Sequence, residues 1–446
     1  MAELLDIADR VCSWARDGEQ IEVMVGRSRD IEIRVYDGEI EKLSSAESAG
    51  VGVRVIRDQR QGFAYAGTLD VDVLEEVLAD ARDNAGFGDP DEAYGLAEPD
   101  GVPYAELDVY REELAAFPTE RKIELAMELE RAVRAADPRI SGLEASDYED
   151  GQAEVAIVTT AGLRITSRET YASIVASALA DDAGETQIGW WYSIGREPGE
   201  LDVAACAEET ARRATRLLGA GKPASKRCTV VLDPYVTSQF LGIVGYALSA
   251  EEVLKSRSLF ADRLGDLVAS PLVTLVDDPR DARALTATAI DGEGLATRRT
   301  ELLAGGVLQA FLHNTYTARR MGTSSTGSAV RSFSTTPKVG PRALAIAPGT
   351  TSPAELFAGV DDGFYVQEVS GLHSGVNPIS GDFSTGADGL RITGGALGEP
   401  VREFTIASTL QRMLLDVRGV GNDLTWLPGN AAGVTLVVGD VTVSGT

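Results

Sequence analysis

Three stretches near the N-terminus alternate apolar and polar residues: IEVMVGR from Ile21, DIEIRVYDGEIEKLSSA from Asp30 and GVGVRVIRDQRQGFAYAG from Gly50. Successive side chains on a strand point to opposite faces, so this period commits the region to a sheet with one face on a core and one in water. Asp37-Gly38 and the run from Asp58 to Gly62 supply tight turns, and the strands are therefore expected to be antiparallel. A helix over Glu3 to Gly18 is expected before them, with Leu4, Leu5, Ala8, Val11, Cys12 and Ala15 on one stripe. A second, Asp70 to Asn84, is expected after them, with Val73, Leu74, Val77, Leu78 and Ala81 turned inward.

Residues 1–86 thus read as one α-βββ-α unit. From 87 to 118 no period fits, and the density of Gly, Pro, Asp and Glu reads as a linker. Residues 119–221 form a middle region. Thr119 is expected to cap the helix TERKIELAMELERAVRAAD, and strands follow at ISGLEASDYEDG, AEVAIVTTAGLRITSRETY and ASIVASALADD, turning at Ala161-Gly162. The segment GETQIGWWYSIGR then precedes a helix from Leu201 to Gly219. Trp190, Trp191 and Tyr192 offer an aromatic platform for an extended peptide. Neighbours on a strand point to opposite faces, so at most one of the two adjacent tryptophan rings should be buried, and packing is the preferred reading.

The third region, 226–446, opens with the strand CTVVLD. Asp233 then has the chemistry of an N-cap, and Pro234 loses nothing at the first helical position, where its N–H would lack a partner. Val236, Phe240, Ile243, Val244, Ala247 and Leu248 give that helix an inward stripe. Ser249 with Glu252 reads as a capping box that restarts a short helix, turning Glu251, Glu252 and Lys255 to solvent. A meander follows, in which Asp291 and Glu293 belong to a turn rather than a calcium loop, since no series of acidic ligands extends them. Ser352 and Pro353 start another helix, FTIASTLQRMLLDVRGVG reads as a late one, and VTLVVGDVTVSGT ends the chain as a strand. The fold class is α+β, with antiparallel sheets in the first two regions and a larger, mostly β third region carrying a few helices.

Lys and Arg number 41 against 69 Asp and Glu, a net charge of −28, so the field of the chain repels phosphate backbones and anionic membranes. Nucleic acid and membrane are excluded as expected partners. No apolar run approaches the roughly 20 residues of a spanning helix, and the acidic start MAELLDIADR lacks a signal-peptide pattern, so a cytoplasmic location is expected. Cys12, Cys206 and Cys228 are odd in number and widely spaced, which fits free thiols. There are two histidines, His313 and His373, and a catalytic zinc site ordinarily takes three protein ligands. A triad of Ser384, His373 and Asp382 is disfavoured because Gly-Asp-Phe-Ser is not a nucleophile elbow. The glycine-rich run 371–398 fits no nucleotide loop, although it would suit close approach of an extended peptide.

From Cys228 onward, and more loosely over nearly the whole chain, the sequence resembles the TldD/PmbA (TldE) family. The resemblance rests on Ser258-Leu259-Phe260, the AIDGEGLATRRTELLAGGVL segment, Ser325-Thr326-Gly327 and the run Ser380 to Ser384. In that family one subunit carries His-Glu-x-x-x-His on a helix, two imidazoles binding zinc and the glutamate serving as general base. Here the motif falls on Leu241, Gly242, Ile243, Val244, Gly245 and Tyr246, so Leu241, Gly242 and Tyr246 replace its working residues. The resemblance implies a TldE/PmbA-like subunit with no catalytic or metal-binding residues of its own and no cofactor. Zinc is then expected in a TldD-like metalloprotease partner that acts on unfolded or leader-bearing peptides. Asn314, Arg319, Arg331, His373, Asn377, Asp382 and Ser384 are the candidates for a peptide or partner cleft. A homo-oligomeric peptide-binding or scaffold protein is the alternative, and self-association is left open.

Overall fold

The computed structural model describes residues 1–446 and has the α+β class the sequence implies. Helix α1 (Ala2–Cys12) leads into β1 (Gln20–Tyr36), β2 (Glu39–Arg57), β3 (Arg60–Ala66) and α2 (Val71–Phe87). After a short α3 (Glu113–Ala116) come α4 (Thr119–Ala136), β4 (Ile140–Thr159), β5 (Arg164–Asp182), β6 (Glu185–Gly195) and α5 (Val203–Arg216). Residues 1–86 and 119–221 share one antiparallel sheet in the order β3-β2-β1-β4-β5-β6, joined where β1 runs against β4.

Strand β1 continues through Arg27 to Asp30, where the sequence suggests a break. Arg27 lies directly across from Glu154 of β4, and their side chains pair at 2.6 Å, so the polar stretch is accommodated inside the sheet. Helix α1 stops at Cys12 rather than Gly18, because the Ser13 hydroxyl donates to the Arg10 carbonyl and turns the chain aside. Thr119 lies within α4 and makes no cap; Pro118 takes that position.

All four long helices cover one face of this sheet. Leu4, Ala8, Leu74 and Leu78 pack on Ile21, Val23 and Val25, while Leu129, Val133, Cys206 and Ala211 pack on Ile33 and Ile174. Alternation in the sequence puts the opposite face in water, yet from Ile21 to Gly26 β1 is buried on both sides. The reason lies in two glycines. A Cβ on Gly50 would stand 2.3 Å from a Phe333 ring atom, and one on Gly52 would stand 2.0 Å from the Phe333 carbonyl oxygen, so their bare backbone lets a loop of the third region settle there.

The third region contains β7 (Lys226–Leu232), α6 (Pro234–Ala247), α7 (Ala250–Leu254), β8 (Leu275–Asp277), β9 (Thr300–Ala304), β10 (Val307–Leu308) and α8 (Thr315–Met321). It continues with β11 (Ala329–Val330), β12 (Lys338–Val339), β13 (Leu344–Ile346), α9 (Pro353–Ala358), β14 (Asp362–Ser370) and α10 (Leu372–Gly375). Last come β15 (Asp382–Thr393), β16 (Ala396–Thr409), α11 (Leu410–Leu415), β17 (Val417–Val420) and β18 (Leu436–Ser444). Six strands form the sheet β16-β15-β14-β7-β18-β17, parallel at β14–β7, and a further β16–β18 pairing curls it on itself. A second sheet runs β10-β9-β8-β13. The expected late helix shrinks to α11: Thr405, Ile406 and Ala407 pair with both β15 and β18, and the ladder holds Ile406 in a strand.

Residues 87–118 are an ordered strap. Arg319 donates to the Leu96 carbonyl at 2.7 Å, Tyr316 to Asp91 at 2.9 Å, and Tyr104 to the Gly294 carbonyl at 2.9 Å. Its own Ala93, Leu96, Ala97 and Val109 are buried. No helix is long and apolar enough to cross a membrane.

Candidate functional site

Helix α6 begins as its sequence prescribes. The Asp233 carboxylate accepts from the Tyr235 N–H at 2.8 Å, and it is itself held by Arg213 of α5 at 3.2 Å and by the Tyr365 hydroxyl. Further along, Leu241 has no exposed surface and belongs to the main core of the third region. Gly242 is half-buried, and a Cβ placed on it would come no nearer to a neighbour than 3.9 Å, at the Asn430 side chain. Tyr246 is exposed and donates to Glu252 at 3.0 Å. That contact, with Arg257 at 2.7 Å, draws Glu252 inward, so it is buried instead of solvated, and Ser249 caps α7 through the Glu251 N–H.

The remaining candidates separate into two groups, with no hydrogen bond or ion pair between them. Asn314 caps α8, accepting from Thr317 N at 2.9 Å, and is buried. Arg319 is spent on the strap carbonyls, and Arg320 faces Asp91 at 3.6 Å. Arg331 is buried against Glu22 at 2.5 Å. Arg319 and Arg320 thus stay exposed while engaged with the strap, whereas the Arg331 side chain is buried and lines a small pocket with Gly292 and Arg342, and Asn314 is used up as a cap. His373, Asn377, Asp382 and Ser384 lie together and exposed on α10, the loop after it and the start of β15. There Asn377 and Asp382 serve the loop itself: Asn377 accepts from Ile379 N at 2.9 Å, and Asp382 accepts from the Ser380 hydroxyl at 2.7 Å. Neither Ser384 nor His373 makes a side-chain hydrogen bond, so no base is set against that hydroxyl.

Glu22 sits at the meeting of the first sheet with the third region. It receives Arg54 at 2.7 Å as well as Arg331, and Arg54 also approaches Glu293 at 3.6 Å. Burial alone would raise the Glu22 pKa, but the two guanidinium groups hold it below its ordinary value. Glu293 in turn accepts from Thr315 N at the start of α8 at 2.8 Å. Asp291 accepts from the N–H groups of Glu293, Leu295 and Ala329, the turn chemistry read from the sequence, and burial followed by Glu293 pushes its pKa to about 7. Nothing in the sequence signals this network, because its members come from distant segments.

A second meeting point of the same regions is aromatic. Trp190, Tyr192 and Ile194 of β6, with Tyr171 and Val175 of β5, face Tyr235, Leu285 and Pro428 across a groove of about 440 Å³. Trp190 meets Tyr235 edge-on at 5.1 Å, and Trp191 stacks on Tyr192 at 4.8 Å. Strand alternation places the two tryptophans on opposite faces, one of them outside; both are half-buried, with centroids 6.4 Å apart. Strand β6 is the sheet edge, so rings from either face can lean around it towards Tyr235.

A family model described as the PmbA/TldA metallopeptidase C-terminal domain matches residues 225–445, the central-domain model matches 112–218 and the domain 1 model 21–85. The chain belongs to the PmbA/TldD family. It is 26% identical over 425 residues to Metalloprotease PmbA of Escherichia coli O157:H7, covering 95% of this chain and 92% of that one. It is 28% identical over 447 residues to a metalloprotease of Methanothermobacter thermautotrophicus, covering 98% and 94%. Among solved structures, a Thermotoga maritima protein described as a candidate modulator of a DNA gyrase superposes with a TM-score of 0.91 at 26% identity, covering 98% of this chain and 99% of that one. TldE from Thermococcus kodakarensis gives 0.89 at 23% over the full length of both, a likeness of fold.

For a PmbA/TldD-family chain the question is whether zinc fits, and at α6 the residues do not fit it. Leu241 is apolar and sealed, Gly242 has no side chain, and Tyr246 is engaged with Glu252. His313 is buried, its Nδ1 3.2 Å from the Thr317 hydroxyl, and burial lowers its pKa to about 4, while His373 stands apart on α10. No three His, Cys, Asp or Glu side chains are grouped to hold a metal ion. Burial raises the Cys12 and Cys206 thiols to about 12 and Cys228 to about 11, so none is a ready thiolate ligand.

Proposed function

We propose that this chain is the non-catalytic, TldE/PmbA-like subunit of a two-component zinc metallopeptidase acting on unfolded or leader-bearing peptides in the cytoplasm. The observation that carries the reading is α6. The family fold is kept end to end, yet at the motif positions the helix offers a core leucine, a glycine and a tyrosine turned to Glu252. A TldD-like partner then supplies zinc and the general base, and this chain completes and shapes the cleft. One observation favours a second reading, a self-assembling peptide-binding protein: an aromatic groove of about 440 Å³ lies between β6 and the start of α6, away from the motif positions.

Purified alone and equilibrated with zinc, the chain is expected to retain no stoichiometric metal by elemental analysis and to leave an unstructured peptide intact. Metal-dependent cleavage by the isolated chain would overturn the proposal.

A further inference from the structure

We propose that the groove between β6 and the start of α6 is a subsite for a cationic side chain, arginine above lysine, presented by an extended peptide. The inference rests on the reading of this chain as a peptide-handling subunit and adds to it the chemistry of the residue that is gripped.

The walls are aromatic: Trp190, Tyr192, Tyr171 and Tyr235 surround the groove, and about 440 Å³ is within the range of pockets that bury small ligands. Aromatic faces attract cations, most strongly when the site is partly desolvated. The cluster already holds one guanidinium, since Arg213 lies 3.9 Å over the Trp191 ring, and that cation is spent on Glu209 and Asp233. Trp190 carries no such partner.

Two carboxylates flank the rings. Glu149 lines the groove, and Glu368 lies beside Trp190 and Tyr235; each is half-buried, and neither has a cation within ion-pair distance. This sets them apart from Glu22, Glu293 and Asp233, buried between the same regions, which face guanidinium groups. Burial first, then Glu32 and Asp147, raises the Glu149 pKa against an opposing pull from Arg34 and Lys42, and burial with Asp388 raises that of Glu368 against Trp190 and Arg213, so at both the net surroundings still favour an added positive charge. A further group lacks a partner: the Tyr192 hydroxyl is buried with no hydrogen bond, on a side chain that lines the groove. A guanidinium brings five donors in one plane, which suits both ring stacking and carboxylate pairing, whereas an ammonium offers only a point charge. Packing alone explains the apolar walls. It does not explain two half-buried carboxylates left without an ion-pair partner.

The test is calorimetric titration of the full chain with two capped peptides, acetyl-alanyl-arginyl-alanine amide and its citrulline analogue, equal in shape and differing in charge. The arginine peptide is expected to bind about tenfold tighter, with the preference weakening as salt rises. E149Q, which keeps size and removes charge, is expected to cut the preference at least threefold, and W190L to abolish it, with thermal melting to check that each variant folds. Equal affinity for the two peptides, no binding of either, or a preference untouched by E149Q and by a folded W190L overturns the subsite. If no metal-bearing partner is found but the arginine preference stands, the subsite survives the loss of the two-subunit reading. If an assembled peptidase cleaves peptides without regard to arginine and the calorimetric preference is absent, the subsite falls alone.

Discussion

Two of the places where the first sheet meets the third region treat charge in opposite ways. At Glu22 a fully buried carboxylate faces two guanidinium groups, with Glu293 completing the set. At the aromatic groove two half-buried carboxylates lie beside rings with no cation within ion-pair distance. Taking a charge out of water costs several kcal/mol unless a partner compensates it. The paired site therefore has the economy of a structural joint, while the unpaired one keeps an interaction unfilled. In this molecule a buried ion network marks what holds the regions together, and an unpaired charge beside aromatic rings marks what is available to a ligand.

The comparison can be broken most sharply at the joint. Glu22→Ala leaves Arg54 and Arg331 buried without their anion, and it is expected to cost about 3–5 kcal/mol in denaturant unfolding, with the two regions losing cooperativity. Asp277 refines the rule, because it is buried with no ion-pair partner, its hydrogen bonds coming from backbone donors alone. One oxygen accepts from Arg342 N at 2.9 Å and Ala343 N at 2.7 Å, and the other has no partner. Burial raises its pKa from 3.8 to about 6. A carboxyl with a raised folded pKa holds its proton in the native state, so its contribution to stability is full below about pH 4 and is lost as pH rises to about 6. Asp277→Asn keeps the accepting oxygen and has no proton to lose. Between pH 4 and 7 the wild-type chain is expected to lose about 1–3 kcal/mol relative to the variant, read as the difference of denaturant midpoints. His313 acts with the opposite sign, its lowered pKa favouring the native state as pH rises from about 4 to 6.5, and it cancels in that difference.

The smallest effect belongs to the groove. Glu149→Gln is expected to alter stability by less than about 0.5 kcal/mol, since it removes a half-buried charge that has no ion-pair partner in the chain. Losses of equal size at Glu22 and Glu149 would erase the distinction between the two meeting points.

Much of the strand content is legible in the sequence because the turns are local. Asp37-Gly38 and Asp58-Gln59 adopt the positive φ angles that two-residue hairpins need, and both hairpins form there. The single sheet is not legible. It depends on β1 pairing with β4 more than a hundred residues away, and no local period encodes that. Helix α6 is readable at its cap for the same local reason. Arg331 reads in the sequence as a cleft candidate because its partner, Glu22, lies 309 positions away. The aromatic rings mislead because strand alternation assumes neighbours on both sides, and β6 has a neighbour on one. Where bonding is local the residues announce it; where distant segments close a site, only the folded chain reveals what each charge faces.

The most direct test of the central claim is reconstitution with a family member that carries His-Glu-x-x-x-His. Both chains are purified, mixed, and followed for complex formation, bound zinc and cleavage of an unstructured peptide. The account predicts a stable complex whose zinc resides in the partner and whose activity is lost when that partner's glutamate is replaced, with this chain inert alone. Failure of the two chains to associate, or activity that survives loss of the partner's glutamate, would contradict it.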